Sequence, residues 1–259
     1  MTASSSATAR ATMRATMRAT ASSAASALLD LLFPRSCVGC GAGMAEGLMC
    51  GTCWSRLAFL PAPRCERCGH PGTAAVCAYC AAFPAYVRAM RSVCWVPDPA
   101  GSAAVHALKY EGWSGIAEAM AERMARLAWP NDVVDERTAF VPIPLARVRE
   151  RERGYNQAAL LAHALGKRQR LPVWDRVVSR DRFTQTQTRL TPSERSANVH
   201  HAFCVNDAAR SGLIGAHLIL VDDVLTTGST LNAAASALFD AGARTVSYVT
   251  FGRARTAAD

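Results

Sequence analysis

Eight cysteines stand in four Cys-x-x-Cys pairs, Cys37/Cys40, Cys50/Cys53, Cys65/Cys68 and Cys77/Cys80. A two-residue gap lets both thiolates of a pair face one ion, and two pairs complete a tetrahedral site of four sulfurs. Sequential pairing predicts one zinc site from Cys37, Cys40, Cys50 and Cys53 and a second from Cys65, Cys68, Cys77 and Cys80; an interleaved pairing satisfies the same spacing. Gly41 and Gly69 follow the second cysteine of their pairs and Gly51 follows Cys50, where tight knuckles want permissive backbone. Four sulfur ligands per ion close the coordination shell, so the chemistry is structural zinc; rubredoxin-like iron and redox dithiols are the alternatives. His70 reads as a bystander, and Cys94 and Cys204, in apolar stretches, as buried small hydrophobes.

A second constellation lies near the C-terminus. The apolar run Leu218–Val221 leads into Asp222 and Asp223, then Thr226, Thr227, Gly228, Ser229 and Thr230, and a helical pattern begins at once. Carboxylates at a strand exit suit sugar hydroxyls. A hydroxyl-rich turn opening a helix suits a phosphate, because free backbone N–H groups and the positive helix end point at one spot. An ordinary strand exit with Ser229 as helix cap is the bland alternative.

These residues need a scaffold, and the chain supplies one. Val87–Val96, Ala139–Ile143, His217–Val221 and Thr245–Phe251 read as strands. Ala103–Leu108, Ile116–Ala128, Gln157–Leu165 and Ser229–Ala241 read as helices, with Met120, Met124 and Leu127 on one face of the second. Val177–Val178 and Ala202–Val205 are short strand pieces flanking a polar stretch, 181–200, that has the character of an active-site lid or of an exposed hairpin. Helices alternating with continuous apolar strands predict an α/β fold with a mostly parallel sheet. The organisation expected is a basic tail or misplaced start over 1–29, a double zinc ribbon over 30–85, and an α/β domain over 86–255.

The acid–hydroxyl segment resembles the phosphoribosyl pyrophosphate (PRPP) signature of type I phosphoribosyltransferases. Val141-Pro-Ile-Pro-Leu145 with Arg147, Arg149, Arg151, Arg153, Gly154, Tyr155, Asn156 and Gln157 resembles the ComF/GntX branch. So do Arg180, Arg182, Thr184, Gln187, Leu190, Arg195, Asn198 and Phe203, the Lys109-Tyr110-x-Gly112 segment, and the cysteine unit in front. The resemblance covers about residues 30–255. It implies a type I phosphoribosyltransferase sheet, with Thr226–Thr230 on the 5-phosphate and Asp222 and Asp223 on the ribose hydroxyls. Mg²⁺ would enter with PRPP, and Arg153, Lys109, Gln187 and Arg195 would act around the pyrophosphate or after lid closure. Arg147, Arg149 and Arg151 fit a solvated helix face. Thr226 stands where hypoxanthine-guanine transferases carry an aspartate, which argues against a 6-oxopurine acceptor. The branch is associated with DNA uptake, so single-stranded DNA and competence proteins are implied partners. A non-catalytic PRPP- or nucleotide-binding module acting through such partners is the competing function. Arg56, Arg64 and Arg67 with Trp54 form a candidate basic–aromatic surface on the ribbon; a ribbon that only caps the core is the bland reading.

Composition narrows the classes. Half of the 259 residues are hydrophobic, enough for a sizeable core, and no apolar run approaches the ~18 residues of a membrane helix. The formal net charge is +9, but Arg10, Arg14 and Arg18 supply three of these charges. Two zinc sites of four thiolates carry −2 each, leaving about +2 for the body, so overall charge is weak evidence for nucleic-acid binding. The basic, Ser-rich tail has transit-peptide composition, yet Arg outnumbers Lys 27 to 2, the usage of a GC-rich bacterium. Reduced, metal-bound cysteines and the lack of an apolar leader predict a cytoplasmic protein.

Overall fold

The computed structural model describes residues 35–72, 77–110, 114–180 and 202–255. Four strands form one sheet: β1 (Val87–Val96), β2 (Arg137–Pro142), β5 (His217–Leu225) and β6 (Thr245–Ala254). Their spatial order is β1-β6-β5-β2, and each neighbouring pair is parallel. The central strands are apolar on both sides because both faces are covered, as a parallel sheet requires. Alternation along β5 and β6 separates two cores. Ile219, Val221, Val249 and Phe251 enter one, and Leu218, Leu220, Val246 and Tyr248 enter the other.

The first core takes the apolar faces of α2 (Pro99–Tyr110), α3 (Ile116–Ala125) and α6 (Gln157–Gln169). The second takes α8 (Ser229–Asp240) and an antiparallel pair, β3 (Val178–Arg180) with β4 (Phe203–Val205). Met120 and Met124 are fully buried as their spacing predicts, whereas α3 ends at Ala125 and Leu127 is only partly buried. Beyond the cysteine unit two short helices escaped the sequence pattern, α4 (Asn131–Glu136) and α7 (Arg210–Leu213), while α5 (Arg147–Arg153) carries Arg147, Arg149 and Arg151 as the exposed helix face that the sequence offered. Each helix is under two turns or lacks an apolar stripe, so periodicity has little to register. The polar stretch 181–200 between β3 and β4, including Gln187 and Arg195, lies outside the described residues, as does the tail 1–29.

The cysteine-rich segment straddles the sheet edge. Cys37, Met49, Cys53, Trp54 and Leu57 join the first core, while Cys68 and Phe83 join the second. Between them the chain closes the free edge of β1. Leu60 N–H donates to Val93 O at 3.3 Å, Trp95 N–H to Ala58 O at 2.8 Å, and Met90 N–H to Arg67 O at 2.7 Å. An open edge would leave these β1 groups unpaired, so the ribbon completes the sheet. Arg67, read from sequence as part of a binding surface, is instead a clamp. Its guanidinium donates to the carbonyls of Cys80, Phe83, Pro84 and Val87. Trp54 is likewise buried, edge-on to Phe251 at 6.2 Å.

Candidate functional site

Each cysteine set assembles from consecutive pairs. The sulfurs of Cys37, Cys40, Cys50 and Cys53 lie within 4.8 Å of one another, and so do those of Cys65, Cys68, Cys77 and Cys80. The interleaved alternative is thereby removed. Cys37–Cys40 and Cys65–Cys68 are knuckles, with Gly41 and Gly69 in the left-handed region at φ +72° and +65°. A side chain at Gly69 would meet Met90 O at 2.5 Å, so only glycine fits there. Cys50–Cys53 is built differently, with Cys50 capping helix α1 (Gly51–Ser55) through its sulfur.

Crowding sets the thiols against one another. Burial alone would raise Cys37, but N–H donors from Cys50 and Gly39 outweigh it and draw the thiol down to about 6. Burial and the neighbouring thiols push Cys53 up to about 12. Burial raises Cys68 strongly in the second set. A divalent cation relieves that conflict, and four thiolate donors suit zinc. Both sets are four-cysteine zinc-binding sites. His70 stands outside them, stacked on Tyr79 at 3.6 Å. Cys94 is buried, its thiol pushed up to about 12 by loss of hydration. Cys204, expected to be buried, is exposed: on β4 it alternates with buried Phe203, and this two-stranded pair has only one covered face.

The second constellation occupies the carboxyl end of β5, the middle of the sheet. Asp222 and Asp223 do not leave the sheet as the sequence pattern implied, because β5 continues to Leu225 and Asp222 registers with Thr250 of β6. Both acids are therefore held on rigid backbone. Loss of hydration, then the charge of Asp223, takes the Asp222 carboxyl well above the usual carboxylate range. Asp222 also accepts the Asp223 N–H at 2.8 Å. Lys109, in the last turn of α2, brings Nζ to 2.6 Å from Asp223 Oδ2. The two are close but not aligned as a hydrogen bond, so buried Oδ2 retains unused acceptor capacity. A ribose hydroxyl is a donor of the right kind for that atom.

After Leu225 the chain turns through exposed Thr226 and Thr227 to Gly228, at φ +79°, and enters α8. Thr227 Oγ1 lies 3.0 Å from Ser229 Oγ and accepts the Ser229 N–H at 3.4 Å. The first α8 bond along the helix is Asn232 N–H to Gly228 O. The preceding amides therefore have no acceptor inside the helix, and exposed hydroxyls surround them. That is anion-binding chemistry.

Three neighbouring segments converge here. Residues 142–145 leave β2 beside β5, with Ile143 N–H donating to Val221 O at 3.0 Å. Asn156 ties that turn to α6: its Nδ2 donates to Ile143 O and its Oδ1 caps the helix at Ala158 N–H. Tyr155 OH donates to Leu108 O at 2.8 Å, fixing the end of α2 beside Lys109. Arg153 lies over the Tyr110 ring at 5.0 Å, half-buried, while Arg147, Arg149 and Arg151 are exposed on α5. The geometry thus brings Lys109 onto Asp223 and Arg153 to the same end of α2. Sequence reasoning gave no role to Phe83, Asn232 or Tyr248, which lie beneath this turn; their only signal is spatial.

Comparison with known proteins matches two parts of the chain. Residues 28–84 match a double zinc ribbon domain, and residues 152–258 match a phosphoribosyl transferase domain. The DNA utilization protein YhgH of Escherichia coli O6:H1 is 32% identical over 231 residues, spanning 83% of this chain and 96% of that protein. The chain belongs to the ComF family. Within it, Competence protein ComFC of Bacillus subtilis is 30% identical, over 75% of this chain and 79% of its own length. Competence protein F of Haemophilus influenzae is 39% identical over 94 residues, 36% of this chain and 41% of that one. The ComF chain therefore pairs a double zinc ribbon with a phosphoribosyltransferase-like domain, and no described helix is long and apolar enough to cross a membrane.

Proposed function

We propose that this ComF protein binds PRPP with Mg²⁺ at the carboxyl end of β5 and transfers its phosphoribosyl group to an acceptor. The carrying observation is one continuous strand–turn–helix. It sets Asp222 and Asp223 on rigid backbone and then presents exposed Thr226, Thr227 and Ser229 at the first amides of α8, which have no acceptor within the helix. In this reading Thr226–Thr230 take the 5-phosphate and the two acids take the ribose hydroxyls. Mg²⁺ carried in by the ligand would offset pyrophosphate charge. Lys109 and Arg153 supply further positive charge towards the departing pyrophosphate. Gln187 and Arg195, which lie outside the described residues, are the further candidates that the family resemblance supplies.

Ligand-dependent melting tests the reading. PRPP at a hundred times its Kd should stabilise the chain by about 2.7 kcal/mol, or roughly 5–10 °C in melting temperature. The shift should vanish in Asp223→Asn. An unshifted wild-type melt at millimolar PRPP with Mg²⁺ would remove the proposal.

A second reading, a module that acts through single-stranded DNA and competence proteins, is favoured by a separate groove. A cavity of about 780 Å³ runs between the ribbon, β1 and the end of α3. Arg64, Arg91, Arg123 and Arg126 line it, none of its described lining residues is acidic, and Phe59 beside it is 49% exposed. Burial, then repulsion from Arg64 and Arg88, lowers the Arg91 guanidinium below its usual value, while Arg126 in the same groove is paired with Glu122. Arginines beside an exposed ring suit a nucleic-acid backbone with stacked bases. Arg64→Glu with Arg126→Glu should weaken single-stranded DNA binding and leave PRPP binding intact; DNA affinity unchanged by both would exclude the groove.

A further inference from the structure

The second zinc site lies against the phosphate turn. Cys77 and Cys80 bracket the start of a short 3-10 turn, Ala78–Ala82, whose last carbonyl accepts from Asn232 Nδ2 at 3.0 Å. Asn232 is the residue that makes the first intrahelical bond of α8 back to Gly228. Its Oδ1 accepts from the OH of buried Tyr248 on β6 at 3.0 Å, so the amide is held from both sides. The next residue along the segment, Phe83, forms the floor of the turn: a Cβ built on Gly228 would lie 2.6 Å from Phe83 Cε1. Phe83 is itself held edge-on to Tyr248 at 6.3 Å. Arg67, inside the Cys65–Cys68 knuckle, pins the carbonyls of Cys80, Phe83 and Pro84. The chain from the second zinc site to the phosphate turn is therefore continuous: knuckle, Arg67, the 78–84 segment, then Gly228 and Asn232. The first zinc site joins the core on the other sheet face, through Trp54 and α3.

We propose that the second zinc site, of Cys65, Cys68, Cys77 and Cys80, is part of the ligand-binding apparatus, holding Ala82 and Phe83 so that Phe83 and Asn232 position the 5-phosphate turn. The proposal rests on the PRPP reading above. Zinc keeps the 78–84 segment in place. The segment in turn fixes the backbone of Gly228 and the first turn of α8, so the amides stand ready for the phosphate. Such pre-organisation raises affinity by removing the ordering cost from binding.

The test uses the full, zinc-replete chain and three probes: PRPP, ribose 5-phosphate, and Mg²⁺-pyrophosphate. Asn232→Ala should weaken PRPP and ribose 5-phosphate about tenfold, leave pyrophosphate binding unchanged, and retain two zinc ions. Phe83→Leu, which keeps an apolar filler beneath Gly228, is the milder second variant and should weaken the same two probes in the same pattern. Equal weakening of all three probes would mean general loosening and would overturn the positioning role. Unchanged PRPP affinity in both variants would overturn it as well. A wild-type chain that binds no PRPP would overturn the ligand reading and this inference together.

Discussion

Gly228 and Phe83 offer a quantitative test of the turn through a double-mutant cycle. Gly228 sits at φ +79°, a region that costs an L-residue roughly 1–2 kcal/mol. The alanine methyl would also approach Phe83 Cε1 to 2.6 Å, and relieving such overpacking costs about 1–3 kcal/mol. Gly228→Ala should therefore destabilise by about 2–5 kcal/mol, a melting-temperature loss of roughly 5–15 °C for a domain of this size. Phe83→Ala alone should cost about 3–5 kcal/mol, since the ring is buried. With the ring removed, the methyl no longer clashes. The double variant should thus lose about 1–3 kcal/mol less than the two single losses added together. Urea denaturation of the zinc-replete proteins measures all three. Additivity within about 0.5 kcal/mol would refute the contact, and a neutral Gly228→Ala would refute the left-handed turn itself.

Three further outcomes are expected. Lys109→Met leaves the buried Asp223 carboxylate without its 2.6 Å partner and should lower stability by about 1–3 kcal/mol, less than a fully buried pair because Lys109 is partly exposed; an unchanged urea midpoint would exclude the pair. His217, buried with Nε2 2.8 Å from Ser247 Oγ, has its pKa lowered from 6.5 to about 4 by loss of hydration. The unfolded chain binds this proton and the native one does not, so stability falls as pH drops from 6.5 towards 4, by about 3 kcal/mol; His217→Asn should flatten that limb of a pH-dependent denaturation series, and an unaltered limb would assign it elsewhere. Chelation of both zinc ions should melt the sheet with the ribbon, because the β1 edge and both cores lose their cover; a circular-dichroism signal for the parallel sheet that survives chelation would show that the sheet stands alone.

The sequence is most legible where chemistry and periodicity coincide. The cysteine pairs, the apolar runs of β1, β5 and β6, and the hydroxyl turn before α8 are readable because spacing alone constrains them. The extent of β5 is not: Asp222 and Asp223 are poor strand formers, and only pairing with β6 carries the strand past them. Arg67 and Trp54 look like surface chemistry because Arg and Trp serve binding and packing equally well; the carbonyls and the Phe251 edge that satisfy them come from distant parts of the chain. Cys204 looks buried because a three-residue strand does not reveal which face is covered. The Phe83–Gly228 and Ala82–Asn232 contacts join residues about 150 positions apart and leave no local pattern.

Whether the carboxyl end of β5 holds PRPP is decided by calorimetric titration of PRPP with Mg²⁺ into the zinc-replete chain. Saturable one-site binding is expected, lost when Asp223→Asn is combined with Thr227→Ala while both zinc ions and the fold remain. Binding that persists in that double variant, or no heat from the wild-type chain at millimolar PRPP, would contradict the assignment.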